Sequence, residues 1–304
     1  MNANAAFGLL LGLGIFLLSG LLVATSRLLL AGGGSHLSDR SEVGILCLFI
    51  PSPDDIPVHL VSYVVISLTA SCLARTVRGA VAEQRQTARF LDERLTRRTS
   101  APAWLDRLAA DVGLAGRLDV VEDPAPRCFC YGLAWPRVCV TTGLLAVLAA
   151  DELEAVLRHE AAHASGFDPL RILGGRAFAA GFPLAPALAD LFAHFRLHIE
   201  VAADRTAVGR MREPFSLARA LDKLLDESQP APTTLPNVGH ANTLVFRISQ
   251  LLGEPVPLRV LTSPARVATS VATAALIAAL ALAPAGADHA KAWSAFSLSL
   301  SLQC

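Results

Sequence analysis

The sequence predicts a mainly α-helical membrane protein with about three transmembrane helices and one polar α+β domain. Two observations lead to this fold class. First, 53% of the 304 residues are hydrophobic and only 17% are charged, whereas a soluble domain usually carries about 25% charged residues. Second, the longest apolar runs lie toward the two ends of the chain. The composition therefore excludes a disordered or fibrous protein and disfavours an entirely water-soluble one.

Three apolar runs predict the membrane spans. Residues 5–24 carry no charge and are long enough for one spanning helix of about 20 residues. This run lacks the basic start and the small-residue cleavage site of a signal peptide, so we expect it to stay as an anchor. Residues 58–74 and residues 267–283 predict the second and third spans.

The distribution of arginine predicts the orientation in the cell membrane. Positively charged residues beside a span favour the cytosolic side. We therefore expect two N-terminal spans with a short outer loop in residues 1–74, a cytosolic domain in residues 75–260, and a third span with a short outer tail in residues 261–304. The arginines that support this multi-pass arrangement are Arg75, Arg78, Arg85, Arg89, Arg94, Arg97, Arg98, Arg259 and Arg266.

The charge balance and the cysteine pattern limit the kinds of partner and metal site that the sequence predicts. The 26 basic residues balance the 26 acidic ones and form no long basic run, which argues against a nucleic-acid partner. The lipid bilayer is the partner that the apolar runs predict. The six cysteines are scattered without a CxxC pair, so the pattern indicates neither a disulfide framework nor a cysteine-rich zinc site.

Short β-rich runs predict a small antiparallel sheet in the cytosolic domain. Residues 75–112 read as a long Arg-rich helix that Pro102 interrupts. The β-rich runs follow at residues 118–121, 128–131 and 138–141, and turn signals separate them.

Two helices follow the predicted sheet. Asp151 is expected to open the first, with Glu154 in a capping box, and the second covers about residues 187–211. The apolar residues 177–195 overlap the second helix, but two prolines and a glycine break them. We expect a buried helix or a shallow re-entrant hairpin there.

The first of these helices carries a metal-binding motif, His159-Glu160-Ala161-Ala162-His163. Two histidines four residues apart project from one face of a helix, so both can bind one Zn²⁺. Glu160 is rotated by about 100° from His159 and can accept a proton from a water that the zinc activates. The motif predicts metal-assisted hydrolysis of a peptide bond.

A catalytic zinc needs a third protein ligand and an open position. Glu200 and Asp204 are our preferred pair, because their spacing places them on one helix face. Glu200 would bind the metal, and Asp204 would orient a histidine ligand by accepting its second N–H. A histidine ligand stays an alternative. The remaining candidates are Asp168, Asp190, His194 and His198.

The segments His159–His163, Asp168-Pro169-Leu170 and Glu200-Val-Ala-Ala-Asp204-Arg205 resemble the integral-membrane gluzincin metallopeptidases. Two branches are close, the BlaR/MecR-type antirepressor peptidases and the HtpX-like and CAAX prenyl protease branch. The resemblance implies a cytosolic zincin-type domain with one zinc on His159, His163 and Glu200, and with Glu160 as catalytic base. It also implies that His240 stabilises the oxyanion and that an edge strand near Val138–Thr141 binds the substrate.

These observations favour a membrane-anchored zinc endopeptidase that hydrolyses a cytosolic or membrane-proximal protein or peptide. The alternative is a signal-transducing membrane receptor whose protease domain inactivates a transcriptional repressor, which would then be the substrate. Fewer than about 25 residues follow the third predicted span, which leaves no room there for the large extracellular sensor domain of the antirepressor branch.

Overall fold

A computed structural model describes residues 2–34, 56–211, 215–226, 240–253 and 263–282. Helices dominate; one short strand lies between the second and third of them, and three more lie between the third and fourth. In chain order the elements are α1 (Ala3–Gly34), α2 (Ile56–Leu95), β1 (Arg98–Thr99), α3 (Ala103–Asp111), β2 (Leu118–Val121), β3 (Cys128–Tyr131), β4 (Arg137–Thr141), α4 (Thr142–Val147), α5 (Ala150–Ser165), α6 (Asp168–Gly181), α7 (Ala187–Val208), α8 (Ser216–Asp226), α9 (His240–Leu251) and α10 (Pro264–Leu282).

The chain divides into two compact units. The first comprises Met1–Leu10, Gly79–Ala177 and Ala189–Leu261 and contains the sheet. The second comprises Leu11–Arg78, Phe178–Leu188 and Thr262–Cys304. The domain boundaries expected from the sequence, at residues 74 and 260, stay a prediction.

The sheet is mixed, which corrects the antiparallel arrangement expected from the sequence. Its order is β1-β2-β4-β3, and β2 pairs with β4 in parallel, while β1 with β2 and β3 with β4 are antiparallel. The most apolar strand takes the centre: Val138, Cys139 and Val140 are fully buried. β3 is only half-buried and lies at the edge. β4 lies between β2 and β3, parallel to the first and antiparallel to the second.

A hydrophobic core lies between this sheet and α5. Leu153 and Leu157 are nearly fully buried and belong to the same cluster as Val138 and Val140. The N-terminal capping of α5 differs from the prediction, because the carboxylate of Glu152, rather than Glu154, accepts a hydrogen bond from the Ala149 N–H at 2.9 Å. The core therefore fixes α5 against the strands.

Two predicted helices are confirmed with changed ends, and one is shorter than expected. α5 ends at Ser165, and α7 covers most of the helix expected over 187–211. The helix expected over 75–112 is wrong in its second half, because α2 ends at Leu95 and β1 follows before α3. Within the stretch 177–195, α6 ends and α7 begins, with residues 182–186 between them.

Three helices of the described residues are long and apolar enough to cross a membrane. They cover Ala3–Leu28, Ser62–Ala82 and Pro264–Leu282, with lengths of 26, 21 and 19 residues. The second unit also contains close contacts between these helices: Thr25 and Thr69 share a hydrogen bond of 2.9 Å between their hydroxyl groups, and Gly20 lies against Ile277. The predicted fold class, a mainly helical membrane protein with three candidate spans and an α+β domain, is confirmed.

Candidate metal centre and cleft

His159 and His163 lie one turn apart on α5 and are both buried. Their Nε2 atoms approach each other to 3.0 Å, and their rings meet edge to face. Both Nδ1 atoms point to carboxylates at hydrogen-bond distance. A neutral imidazole carries one N–H and one lone pair, so in the neutral form with the proton on Nδ1 both Nε2 lone pairs point toward the same place. Two converging lone pairs are the arrangement that a bound cation requires.

Glu200, on α7, supplies the third atom at this point. Its Oε2 lies 3.6 Å from Nε2 of His159 and 3.9 Å from Nε2 of His163. Tetrahedral zinc with bonds of about 2.0–2.1 Å keeps its ligands about 3.4 Å apart, and a point equidistant from these three atoms lies roughly 2 Å from each. His159, His163 and Glu200, hereafter the metal cluster, therefore fit one zinc ion, and the described residues contain one such group.

A carboxylate stands behind each histidine of the metal cluster. Asp204 Oδ1 is 2.9 Å from Nδ1 of His159, and Asp168 Oδ2 is 2.8 Å from Nδ1 of His163. Such partners fix the tautomer and the ring orientation of metal-binding histidines. Asp204 thus contacts the nitrogen of His159 that faces away from the metal cluster, and its orienting role stays a prediction. Asp168, considered from the sequence as a third ligand, contacts His163 from the side opposite the metal cluster.

A sharp turn after α5 brings Asp168 to His163. Gly166 ends the helix, and Phe167 adopts a positive φ of 52°, a conformation that few non-glycine residues take. α6 then begins at Asp168. Arg171, one turn further on, holds the second oxygen of Asp168 at 2.9 Å.

Arg247, on α9, contacts the two carboxylates of α7, a role that was not predicted from the sequence. Its Nε and Nη2 atoms donate to both oxygens of Asp204, at 2.8 and 2.6 Å. Its Nη1 lies 3.0 Å from Oε2 of Glu200. The guanidinium is buried, and such a two-pronged pair is both strong and geometrically specific. Arg247 therefore holds Asp204 and Glu200 in place relative to His159.

These contacts shift the pKa values of the site in consistent directions. Burial lowers the pKa of His159, but the hydrogen bonds to Asp204 and Glu200 outweigh it and raise the pKa to about 9. Burial raises the pKa of Glu200, but His159, His163 and Arg247 together hold it well below its usual range. Asp204 likewise has a lowered pKa despite its burial, chiefly because of Arg247. Both carboxylates are thus ionised at neutral pH, which is the form that binds a cation.

A cleft of about 430 Å³ opens above the metal cluster, and Glu160 lies on its wall. The thiols of Cys128 and Cys130 border the same cleft. Burial and the nearby charge of Glu160 raise the pKa of Cys130 to about 12, and the pKa of Cys128 is also well above its usual value for these reasons. Both therefore stay neutral thiols. The other lining residues are Phe129, Val156, Pro169, Ile172, Arg196, Leu217, Leu221 and Leu224.

The edge of the sheet that borders the cleft is β3, and not the strand at Val138–Thr141 that the sequence analysis expected. Thr141 N–H donates to the carbonyl of Arg127 at 3.0 Å. Bonded and unbonded positions alternate in an antiparallel pair, so the backbone groups of Cys128 and Cys130 point away from β4. β4 itself has neighbours on both sides and cannot accept an added strand.

The remaining candidates lie elsewhere. His194 and His198 lie on α7 outside the cleft lining. Asp190 lies in the first turn of α7. His240 is the first residue of α9, but its side chain falls outside the part of the chain that the structure describes, and its expected oxyanion role stays a prediction.

The geometry is typical of one class, the gluzincin-type metallopeptidase domains. Its features are two histidines one turn apart, a glutamate from a second helix and a cleft beside a strand edge. Residues 97–179 match the model of Peptidase family M48. The match includes His159, Glu160 and His163 and ends before Glu200. The resemblance to the integral-membrane gluzincin metallopeptidases is thereby confirmed over these residues, which are similar to Peptidase family M48.

Several relatives point to one branch of these peptidases. A protease HtpX homolog of Janthinobacterium sp. (strain Marseille) is 32% identical over 120 residues, which are 38% of this chain and 40% of the relative. A protease HtpX homolog of Listeria monocytogenes is 35% identical over 80 residues, or 24% of this chain and 26% of the relative. One of Limosilactobacillus fermentum is 39% identical over 54 residues, or 17% and 18% of the two chains.

The matched segments span 40% or less of these relatives. The similarity is thus to the HtpX-like branch and is limited to part of each chain. No solved structure matches this chain significantly.

Proposed function

We propose that this protein is a membrane-anchored zinc endopeptidase that hydrolyses a peptide bond of a cytosolic or membrane-proximal protein. The observation that carries the proposal is the convergence of His159 Nε2, His163 Nε2 and Glu200 Oε2 beside Glu160 in one cleft. These three side chains would hold one zinc per chain. When bound, zinc polarises the peptide carbonyl and lowers the pKa of water toward about 7.

Glu160 would act as the base. Its carboxylate forms no hydrogen bond or ion pair with the described residues. It is therefore available to accept a proton from the attacking water. The same carboxylate would then donate that proton to the departing amine, which balances the hydrolysis. Asp204, Asp168 and Arg247 would keep the metal cluster in place during this transfer. His240 remains our candidate for stabilising the oxyanion.

The substrate would bind as an additional strand on β3. An extended peptide that pairs with a free strand edge gains affinity from backbone hydrogen bonds, whatever its side chains are. The outward backbone groups of Cys128 and Cys130 are suitable partners, since both residues also border the cleft with Glu160. This mode places an extended peptide alongside the metal cluster.

We further propose that the three candidate spans anchor the chain as a multi-pass membrane protein with its peptidase domain in the cytosol. The support is the concentration of arginine after the second span and before the third, as the positive-inside rule requires. The relatives described above are named as protease HtpX homologs, which favours the HtpX-like branch over the antirepressor branch and its repressor-inactivating receptors.

The test of the proposed function is the Glu160→Gln variant of the full chain, purified in detergent and assayed on an unstructured protein substrate. We expect cleavage to fall by about 10²–10⁴-fold because the proton acceptor is removed, whereas bound zinc stays unchanged. Glu154→Gln is the matched control, since Glu154 lies on the same helix and pairs with Arg158 at 2.7 Å. Cleavage by Glu160→Gln at the wild-type rate would refute the assignment of the base.

A further inference from the structure

A second pair of histidines, His194 and His198, lies outside the metal cluster and has nearly the same geometry as His159 and His163. Their Nε2 atoms are 2.8 Å apart, and their ring centroids are 4.2 Å apart at an interplanar angle of 70°. The corresponding values for His159 and His163 are 3.0 Å, 4.6 Å and 83°. Both pairs have the i, i+4 spacing that places two side chains on one helix face.

This pair lies outside the peptidase centre. His198 precedes Glu200 by two residues on α7, which rotates it by about 200° around the helix axis. Its side chain therefore leaves the helix on nearly the opposite side from Glu200. Neither His194 nor His198 lines the cleft that contains the metal cluster. A role for this pair must differ from that of a third zinc ligand.

Hydrogen bonding within the described part of the chain leaves the pair incompletely satisfied. The contact between the rings uses one nitrogen of each. Nδ1 of His194 is buried and has no hydrogen-bond partner among the described residues. Both rings are only half-buried, so an ion from solution can reach them.

We propose that His194 and His198 form a second, weaker site for a divalent transition metal, bound through the two Nε2 atoms. Imidazole suits Zn²⁺, Cu²⁺ and Ni²⁺, and water would complete the coordination. The site has two protein ligands where the metal cluster has three. It also has no carboxylate at Nδ1 of His194, and such partners typically contribute about 10–100-fold in affinity. The site would therefore fill only when free metal exceeds what the metal cluster requires.

The test is the number of zinc ions bound per chain. The full-length protein in detergent is stripped with a chelator and equilibrated with buffered Zn²⁺ over a range of free concentrations. We expect two classes of site in the wild type, one tight and one weaker by more than about 100-fold. His194→Gln and His198→Gln should each lose the weak class and keep the tight one, whose retention also shows that the variants are folded.

Two controls separate this proposal from the proposed peptidase centre. His59→Gln replaces another helical histidine and should leave both classes unchanged. The His159→Ala, His163→Ala double variant should lose the tight class and keep the weak one, and Cu²⁺ bound to it should show two nitrogen ligands by electron paramagnetic resonance. The proposal is overturned if the wild type saturates at one zinc, or if His194→Gln and His198→Gln bind as many ions as the wild type.

Discussion

Glu200 and Asp204 lie one helical turn apart on α7 and contact different atoms of the histidines. The helical spacing of the pair could be predicted from the sequence, because it depends only on residues four apart. The structure adds which atom each carboxylate faces: Glu200 lies near the two Nε2 atoms, and Asp204 near Nδ1 of His159.

The two carboxylates should therefore differ in the effect of their removal. Glu200→Ala deletes one of three proposed ligands, so we expect zinc binding to be lost or to become very weak. Asp204→Ala deletes an orienting hydrogen bond, for which about 10–100-fold in affinity is typical. Competition with a chelator measures both affinities. Loss of zinc by Asp204→Ala with retention by Glu200→Ala would show that the roles are reversed.

Asp168 and Arg247 illustrate what the sequence could not reveal at this scale. Asp168 was a ligand candidate because of its residue type, but the turn at Phe167 places it behind His163. Arg247 lies 43 residues beyond Asp204, and no local pattern connects the two. Their contacts depend on how α5, α7 and α9 pack together, which residue spacing along one helix does not encode.

Among the elements, the helices were more predictable than the order of the strands. α5 and α7 follow from helical periodicity, which is a local property. The three predicted strand segments, which correspond to β2, β3 and β4, were also located correctly. β1 was not predicted, and the pairing was wrong, since the burial of β4 decides which strand is central. This difference moves the expected substrate edge from Val138–Thr141 to β3.

The position of β3 leads to a prediction that proline can test. Cys130→Pro removes a backbone N–H that points away from β4, and proline is tolerated at such edge positions. If a substrate strand binds there, KM should rise by roughly two- to tenfold for one lost hydrogen bond, with little change in Tm. Cys130→Ala keeps the N–H and should keep the wild-type KM.

Phe129→Pro provides the matched structural control. Phe129 is opposite Cys139 in the antiparallel pair, so its N–H lies on the side of β4, and its removal should lower Tm. An unchanged KM in a folded Cys130→Pro variant would argue against substrate binding at this edge.

At the scale of the whole molecule, hydropathy predicts the membrane spans and the arginine distribution predicts their orientation. The three apolar runs predicted from composition agree with three helices long enough to span a bilayer. α2 continues well beyond its apolar part, since 40 residues extend about 60 Å at 1.5 Å per residue. The membrane orientation depends on the charges that flank the spans.

Reporter fusions can measure this orientation. We expect green fluorescent protein fused after Ala101 to be fluorescent, because that position would lie in the cytosol. Alkaline phosphatase fused after Cys304 should be active, because we expect the C-terminal tail to lie outside. The opposite pattern at both positions would place the peptidase domain on the outer side of the membrane.

The central claim is that His159, His163 and Glu200 hold one catalytic zinc, and the zinc content of a ligand variant tests it most directly. The full chain and its His163→Ala variant are purified in detergent, dialysed against a weak chelator and analysed by atomic absorption. We expect one tightly held zinc per wild-type chain and none in His163→Ala, while His194→Gln keeps the tight zinc. A full equivalent of zinc in the His163→Ala variant would contradict the account.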